Sequence, residues 1–203
     1  MQTQHESKTR LLDTAMQVFR TKGYAATTVD DVCAGAGLTK GSFFHHFKTK
    51  EELAVAAARH FAEMADGLFS TAPYRARADP LDRLLGYVEF RRAILQGKLP
   101  EFTCLLGTMV QETYDSHPAI RRACDRHISE HAATLTDDIA QAKRLYAPRA
   151  KWTAESLGLY IQATLQGAFI LAKARHGPAV ADECLGHLRR YLELLFNHNK
   201  RKE

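Results

Sequence analysis

Apolar residues recur through most of the chain at the spacing of one face of an α-helix. The first such stripe consists of Leu11, Leu12, Ala15, Val18 and Phe19. It ends before Gly23, a residue type that tolerates the left-handed backbone found where helices stop. The alternation of apolar and polar residues that marks a half-buried strand is not sustained anywhere in the sequence. The pattern therefore predicts an all-α fold of about nine helices.

Hydroxyl and carboxylate residues mark the starts of the helices near the N-terminus. Thr28 followed by Asp31 resembles a capping box, in which both side chains accept hydrogen bonds from free backbone amides. Thr39 is placed to cap the next short helix, and Thr49 opens a longer one. Residues 28–47 are thus predicted to form two short helices joined by a turn that contains glycine.

The rest of the chain is predicted to form five further helices. Asp79 followed by Pro80 is a strong start signal, because Asp caps a helix and Pro fits its first position. The first of these helices is predicted over 80–96, the second begins near residue 100, and the third extends over 118–146. The fourth extends from 154 to before Gly177, and the fifth contains the apolar stripe 185–196. A polar tail at 198–203 follows.

Composition places the chain among ordinary globular proteins. Hydrophobic residues make up 45% and charged residues 25% of the sequence, which excludes collagen-like and largely disordered classes. No apolar run approaches the ~20 residues needed to cross a bilayer, and the N-terminus lacks the apolar core of a signal peptide. The four cysteines form no C-x-x-C pair, which favours reduced thiols. A cytoplasmic protein is expected.

Positive charge is concentrated in the first quarter of the chain. The net charge is +5 with His neutral, and residues 1–50 account for +3 of it. Such a bias favours a polyanionic partner, although a solvated surface has the same composition. Nucleic acid is therefore a candidate partner.

The two short helices at 28–47 have the pattern of a helix-turn-helix, whose second helix enters the major groove of DNA. Their N-termini, at Thr28 and Thr39, offer unpaired backbone N–H groups to phosphates. Gly41 on the outer face would let the second helix approach DNA closely. An ordinary helical hairpin with a basic surface is the alternative.

The sequence of this segment resembles a known family. The run TTVDDVCAGAGLTKGSFFHHFKTKEEL (27–53) is similar to the DNA-binding signature of the TetR/AcrR family of transcriptional regulators. The run LLDTAMQVFRTKGY (11–24) is similar to the first helix of that family, and the resemblance covers residues 8–60. It implies a DNA-binding transcriptional regulator. The resemblance favours a ligand-responsive repressor that binds a pseudo-palindromic operator as a homodimer and is released by a small-molecule effector.

The resemblance also implies a division into two domains. A helix-turn-helix DNA-binding domain is expected at residues 1–50 and a helical effector-binding and dimerisation domain at residues 51–203. A helix at about 49–70, the fourth of the chain, would connect them. The expected partners are a double-stranded DNA operator, an unknown small-molecule effector and a second copy of the chain, with no membrane partner.

The resemblance assigns DNA contacts to individual residues. Thr28 and Lys50 would contact phosphates, and His46 would touch the DNA backbone. The residues expected to face the major groove are Thr39, Lys40, Ser42 and His45. Phe44 stands where family members often have Tyr, so this position lacks a hydroxyl for a phosphate contact. Gly41 completes the predicted DNA-binding set.

Cys104 carries a second, shorter resemblance. Residues 102–107, followed by Glu112, resemble helix six of one branch of the family. That branch includes NemR, a regulator in which the matching cysteine senses electrophiles and oxidants. A thiol at a helix N-terminus can have a lowered pKa, whereas the alternative is a small buried hydrophobic residue. The candidate effector and sensor residues are Cys104, Thr108, Gln111 and Glu112.

The last two predicted helices are candidates for a dimer interface, as the resemblance implies. The stripe residues expected there are Leu165, Phe169, Leu188, Leu192 and Leu195. A twofold dimer would let two recognition helices read a pseudo-palindrome. The alternative is that both stripes are buried in the core of the subunit itself.

No catalytic, metal or cofactor site is predicted. The sequence has no nucleophile elbow, no phosphate-binding glycine loop and no H-E-x-x-H motif, so an enzyme is not expected. Cys124, His127 and His131 share one helix face. A metal site needs three or four convergent ligands, and a further ligand from Cys184 or His187 is conjecture.

Overall fold

The computed structural model describes residues 2–197, with side chains from residue 5 onward. The predicted tail at 198–203 lies outside the described residues. Within the described range there is no strand, so the all-α fold class is confirmed. None of the helices described is long and apolar enough to span a lipid bilayer. The helices are α1 (Gln2–Lys22), α2 (Val29–Ala36), α3 (Lys40–His46), α4 (Lys50–Ser70), α5 (Pro80–Ala93), α6 (Leu99–Phe102), α7 (Leu105–Thr113), α8 (Pro118–Ala133), α9 (Thr136–Tyr146), α10 (Ala154–Ala174) and α11 (Ala179–Leu195), with a 3-10 turn at Pro73–Ala76.

Two predicted helices are each divided in the structure. The helix predicted from near residue 100 consists of a single turn, α6, and then α7, because the backbone is extended at Cys104 (φ −77°, ψ 123°). The helix predicted over 118–146 is α8 and α9, separated at Thr134 and Leu135. There the Thr134 hydroxyl donates to the carbonyl oxygen of His131 at 2.8 Å, which competes with the helical bonding pattern. The part of the chain described therefore has eleven α-helical segments.

The described chain packs as two compact units. The first consists of the described residues up to Ala65 together with Thr103–His127. The second consists of Asp66–Phe102 together with the described residues from Ile128 onward. This division follows packing within the chain, and the functional boundary expected at residue 50 stays a prediction.

The core of the first unit includes the apolar faces of α1, α2 and α3. Its fully buried side chains include Leu11, Phe19, Val32, Phe43 and Leu53. Gly23 after α1 has φ +84° and Gly37 after α2 has φ +62°, both in the left-handed region that glycine adopts at little cost. These two turns direct the chain into α2 and α3.

The second unit is a helical bundle in which α10 packs on α11 and α9, and α5 packs on α9 and α11. Its buried residues include Leu84, Val88, Ile139, Ile161, Leu165 and Leu185. A half-buried ion pair between Arg83 Nη2 and Asp138 Oδ1, 2.7 Å apart, joins α5 to α9. The hydrogen bond to Asp138 raises the pKa of Arg83, so the guanidinium stays charged in this pair.

Candidate DNA-binding site

The helix-turn-helix predicted at residues 28–47 is formed by α2 and α3. Thr28 Oγ1 accepts from the Asp31 amide at 3.1 Å, and the Asp31 carboxylate accepts from the Thr28 amide at 2.8 Å. The predicted capping box is therefore confirmed. Gly37 then turns the chain, and Thr39 caps α3 by accepting from the Ser42 amide at 3.2 Å.

Asp31 also connects this cap to α1. Lys22 Nζ lies 2.8 Å from Asp31 Oδ1, and this hydrogen bond, followed by those from Thr28, lowers the pKa of Asp31 to about 2. The carboxylate is therefore ionised at neutral pH. Its charge lies in the first turn of α2, where the helix dipole favours an anion.

One face of α3 is buried and the other is exposed. Phe43 is fully buried against Phe47, with ring centroids 5.9 Å apart, and it anchors the helix to the core. Ser42 is half-buried. The exposed residues around it are Thr39, Lys40, Gly41, Phe44 and His45. The structure therefore places the residues expected to face the major groove on or at the edge of the accessible side of α3.

Lys40 is paired with a neighbouring carboxylate in the free protein. Its Nζ lies 2.9 Å from Asp30 Oδ1, and both side chains are mostly exposed. The hydrogen bond to Asp30 raises the pKa of Lys40, so the ammonium is charged. Exposed pairs of this kind contribute ~0–1 kcal/mol, so the ammonium can exchange Asp30 for a guanine acceptor or a phosphate.

Gly41 and Phe44 shape the exposed face of α3. The nearest atom that a Cβ at Gly41 would meet is Thr39 Oγ1 at 3.6 Å, an ordinary contact, so packing does not require glycine here. Phe44 is 55% exposed and touches Phe43 edge-on, at a centroid distance of 5.2 Å. The result is a surface that another molecule can approach closely and whose apolar ring can contact sugars or base methyl groups.

His46 lies at the end of α3 and is anchored to α1. Its Nε2 is 2.7 Å from Ser7 Oγ, and the ring is half-buried. Burial, and after it the nearby His45 and Lys8, lowers the pKa of His46, so the ring is neutral at pH 7. A neutral imidazole can still donate one N–H to a phosphate.

Lys50 occupies a position that sequence reasoning did not foresee. Its Nζ donates to the carbonyl oxygens of Tyr24 and Thr27 at 2.9 and 2.8 Å and lies 4.3 Å from the centre of the Tyr24 ring. Burial lowers the pKa of Lys50. The ammonium thus stabilises the turn between α1 and α2 in the free protein. Its contact with a phosphate stays a prediction, which would require it to leave these carbonyl groups.

Comparison with protein families agrees with this geometry. The family described as bacterial regulatory proteins of the tetR family matches residues 11–57. The C-terminal domain of LmrA/YxaF-like transcriptional regulators matches residues 80–183, more than half of the chain. The chain belongs to the TetR family. It is therefore a DNA-binding transcriptional regulator and not an enzyme.

Two curated relatives show how far the similarity of this TetR-family chain extends. The HTH-type transcriptional repressor DhaR of Mycobacterium sp. (strain GP1) is 25% identical over 175 residues, which cover 86% of each chain. The HTH-type transcriptional regulator YerO of Bacillus subtilis is 38% identical over 61 residues, which cover 30% of this chain and 21% of YerO. Similarity to YerO is thus confined to part of both proteins.

Solved structures of TetR-family regulators share the fold. A regulator from Chloroflexus aurantiacus has a TM-score of 0.82 and 26% identity, covering 95% of this chain and 96% of that chain. The reduced form of Escherichia coli NemR has a TM-score of 0.78 and 20% identity, covering 92% and 96%. The likeness to NemR shows a common fold, and a NemR-like role for Cys104 stays a prediction.

The four candidate effector and sensor residues are bonded in different places. Thr108 and Gln111 donate back to carbonyl oxygens one turn earlier, at 2.9 and 2.7 Å. Glu112 at the end of α7 accepts from the Ala25 amide at 2.8 Å. Cys104 caps the start of α7, where its Sγ accepts from a backbone amide at 3.4 Å. Their hydrogen bonds therefore do not converge on one binding site.

Cys124 and His131, which share a helix face with His127, lie in different surroundings. Burial, and to a lesser degree Cys104, raises the pKa of Cys124 to about 12, so the thiol stays protonated and unreactive. His131 Nε2 lies 3.0 Å from the hydroxyl of Tyr87. Among the described side chains, no group of three His, Cys, Asp or Glu residues is arranged to hold a metal ion.

The structure corrects the expected dimer residues. Leu165, Phe169, Leu188 and Leu192 are buried inside the subunit, and Leu195 is half-buried. The alternative left open by the sequence, burial in the core of the subunit itself, therefore holds for the first four. The large apolar residues exposed on α10 and α11 are instead Leu159, Tyr160, Ile170, Leu171, Tyr191 and Leu194.

Sequence reasoning missed this exposed face because it followed the stronger apolar stripe of each helix. A second stripe on α10 was available as a signal: Tyr160, Ala163, Gly167 and Ile170 also recur at helical spacing. Which of two stripes faces the core depends on the rotation of the helix, which the sequence does not specify.

Proposed function

We propose that the chain is a ligand-responsive repressor that binds a pseudo-palindromic operator as a homodimer and releases it when a small-molecule effector binds. The observation that carries the proposal is the exposed face of α3, where Thr39, Lys40 and His45 surround Gly41. Polar donors around a position without a side chain suit base-edge contacts in the major groove. Phe43, which is fully buried, anchors this helix to the core. Membership in the TetR family supports the same function.

Contacts to phosphates would fix the register of α3 on the duplex. The first turn of α2 supplies the backbone amides of Val29 and Asp30, which the capping box does not use, and the Thr28 hydroxyl if it leaves Asp31. His46 supplies a ring N–H. Lys50 would add a cation if it leaves its carbonyl partners. Because a repressor must reach its operator in the DNA of the cell, we place the protein in the bacterial cytoplasm.

A homodimer is proposed from the exposed apolar face of α10 and α11. Tyr160 and Tyr191 lie ring to ring at 5.1 Å, and Leu194 on α11 is 69% exposed. Contiguous large apolar side chains on a surface mark an interaction site, and a second copy of the same face can cover it by twofold symmetry. The dimer would present two copies of α3 to successive half-sites.

Release from DNA requires an effector that distinguishes two conformations. A ligand shifts the equilibrium only by its difference in affinity for the DNA-binding and the released state. We propose that the effector binds among the helices of the second unit and favours a spacing of the two α3 helices that no longer fits the operator.

The test is DNA binding by the purified protein. Duplexes selected from a random pool are measured by fluorescence anisotropy against an unrelated duplex over a salt series. The double variant Thr39→Ala, Lys40→Ala should lose at least about tenfold in affinity for the selected duplex, because each removed contact contributes ~1–3 kcal/mol. The helix content measured by circular dichroism and the oligomeric state measured by light scattering should not change.

The matched control is Lys151→Ala, which removes an exposed lysine outside α2 and α3. It should leave selective binding intact. Equally weak binding of both duplexes that vanishes steeply with salt would show only a basic surface and would contradict the proposal.

A further inference from the structure

The second unit contains five half-buried arginines, and they fall into two groups. Three of them lie within 3 Å of a carboxylate oxygen: Arg83 with Asp138, Arg92 with Asp182, and Arg189 with Glu193, each at 2.7 Å. Arg75 and Arg91 have no carboxylate within 4.0 Å among the residues described. These two arginines contact the same residue, Phe69: Arg75 bonds to its carbonyl oxygen and Arg91 lies over its ring.

Arg91 is held by neutral groups. Its Nε donates to the hydroxyl of Tyr87 at 2.9 Å, and its Nη2 donates to Nε2 of His131 at 2.7 Å. The guanidinium carbon lies 4.1 Å from the centre of the Phe69 ring. Gln162, which is buried, donates to the same Tyr87 hydroxyl at 3.3 Å. The Nη1 group of Arg91 is left without an acceptor among the described residues.

His131 does not change this charge balance. A guanidinium can only donate hydrogen bonds, so the His131 Nε2 that faces Arg91 must be an acceptor, and the ring is neutral. Burial first, and then the charges of Arg91 and Arg75, lowers the pKa of His131 to about 3, in agreement with that assignment. The cluster therefore carries two positive charges and no negative one.

Aromatic rings surround the two cations. Arg75 donates from Nε to the carbonyl oxygen of Phe69 at 3.3 Å and lies 5.3 Å from the centre of the Tyr74 ring. Phe69 and Tyr74 are each within 6 Å of the Phe90 ring. The rings of Phe69 and Tyr74 are buried and that of Phe90 is half-buried, so an apolar region adjoins the positive charge.

A half-buried charge without a counter-ion is unfavourable, because the surrounding protein screens it less than water does. The planar guanidinium pairs best with a carboxylate, through two parallel hydrogen bonds. An anion that carries a flat apolar body would satisfy both the cations and the rings beside them.

We propose that Arg75 and Arg91 bind the carboxylate of a small aromatic acid, whose apolar body contacts the rings of Phe69, Tyr74 and Phe90. This rests on the proposed function in that the acid is the effector of the repressor. Arg91 is the principal ligand because its Nη1 is available, and Arg75 supplies a second charge. Tyr87 and His131 position Arg91.

The experiment measures binding to the full-length protein without DNA. Benzoate and 2-naphthoate are titrated by calorimetry and by thermal unfolding, against benzamide and 2-naphthamide, with sodium chloride at equal ionic strength. At least one of the acids should bind and raise Tm, whereas its amide should not. Arg91→Gln should weaken binding of that acid at least about tenfold, because a charge-assisted pair is lost.

The matched control is Arg92→Gln, the next residue of α5, whose guanidinium is already paired with Asp182. It should retain carboxylate binding. If Arg91→Gln does not fold, Arg75→Gln provides the same comparison, because among the residues described the Arg75 side chain is held only by a long hydrogen bond to the carbonyl oxygen of Phe69 and by its contact with the Tyr74 ring. Binding that is equal for acid and amide, unaffected by Arg91→Gln and Arg75→Gln, or absent for both acids would overturn the proposal.

A second readout separates this site from the proposed function. With the selected operator duplex, the bound acid should release DNA from the wild type and not from Arg91→Gln. Arg91-dependent binding of the acid supports the site even where no operator is found, whereas failure of operator selection contradicts the repressor alone.

Discussion

At the scale of single residues, one side chain of α3 packs in the core and most of the others are exposed to solvent. Phe43 is fully buried and fixes the helix, whereas a Cβ at Gly41 would meet nothing closer than Thr39 Oγ1 at 3.6 Å. The exposed pair of Lys40 with Asp30 contributes little to stability. The outer residues of α3 can therefore be changed with little effect on the fold, which makes them informative about DNA.

Gly41→Ala tests whether DNA approaches α3 closely. The free protein should be unchanged or stabilised by up to about 1 kcal/mol, because alanine favours the helix and the space is open. Affinity for the selected operator should fall at least about tenfold, since a methyl group would separate the helix from the bases. Urea unfolding and anisotropy measure the two effects.

Gly67→Ala is the control for this substitution. It lies in α4, where a Cβ would meet nothing within 4 Å, so it should stabilise similarly and leave operator affinity unchanged. Unchanged DNA binding by Gly41→Ala would contradict the proposed close approach.

His131 makes stability depend on pH. Burial, followed by Arg91 and Arg75, lowers its pKa from 6.5 to about 3, so the unfolded chain binds this proton more tightly than the folded one. The stabilisation is complete above pH 6.5 and is lost as the pH falls towards 3. When the pH is lowered from 7.5 to 5, protonation of this group should reduce the free energy of unfolding by about 2 kcal/mol.

His131→Gln is the variant that isolates this effect, because glutamine still offers an acceptor to Arg91. Urea unfolding of both proteins at pH 7.5 and pH 5 gives the comparison. The variant should lose about 2 kcal/mol less than the wild type over this range. The same pH dependence in both proteins would show that His131 does not cause it.

At the scale of elements, the turn between α1 and α2 is held from two directions. Lys50 at the start of α4 donates to the carbonyl oxygens of Tyr24 and Thr27, and Glu112 at the end of α7 accepts from the Ala25 amide. Both helices thus fix the entry into α2, whose first turn is proposed to contact phosphate. A displacement of α7 against this turn would reach the DNA-binding surface directly.

Glu112→Ala tests this connection. Removing the carboxylate should destabilise the protein by about 1 kcal/mol, a modest value because the bond is partly exposed to water. Hydrogen exchange of the Ala25 amide, followed by NMR, should become faster. Gln111→Ala on the same helix, whose amide bonds only within α7, should change neither quantity. Unaltered exchange at Ala25 in Glu112→Ala would contradict the connection.

At the scale of the whole molecule, α10 and α11 each have two apolar faces, of which one is buried and the other exposed. Leu165, Leu188 and Leu192 close the core of the second unit. Tyr160 and Leu194 lie on the opposite, exposed side of the same helices. A single subunit leaves this second face in water, and twofold pairing would remove it from water while creating the paired α3 helices that a palindrome requires.

Leu194→Glu should separate the proposed dimer, because a carboxylate would be buried in the proposed apolar interface without a partner. Light scattering should give a mass of 22.8 kDa for the variant and twice that mass for the wild type. Affinity for a full operator should fall with it. Leu145→Glu changes a leucine that is 62% exposed on α9, outside the proposed interface, and should leave the mass unchanged. If the Leu194→Glu variant were still a dimer, the proposed location of the interface would be contradicted.

Much of the DNA-binding region could be predicted because its signals are local. The capping box of Thr28 and Asp31 involves residues three positions apart, and the helix it starts is the one the sequence predicts. Gly37 marks a turn for the same reason, because a left-handed backbone is a property of one residue. The core position of Phe43 and the exposure of Gly41 follow from the period of a short helix between two caps.

The sequence by itself therefore determined the all-α class, the helix-turn-helix and the family. Only the tertiary structure decided that Lys50 bonds to the carbonyl oxygens of Thr27 and Tyr24, which lie 23 and 26 positions earlier in the chain. It also decided that Leu165 faces the core of the subunit. It also decided that Arg91 lies beside His131, 40 positions along the chain, with no carboxylate among the described residues nearby. Caps and turns depend on neighbours in sequence, whereas burial and charge pairing depend on helix rotation and on partners brought close only by packing.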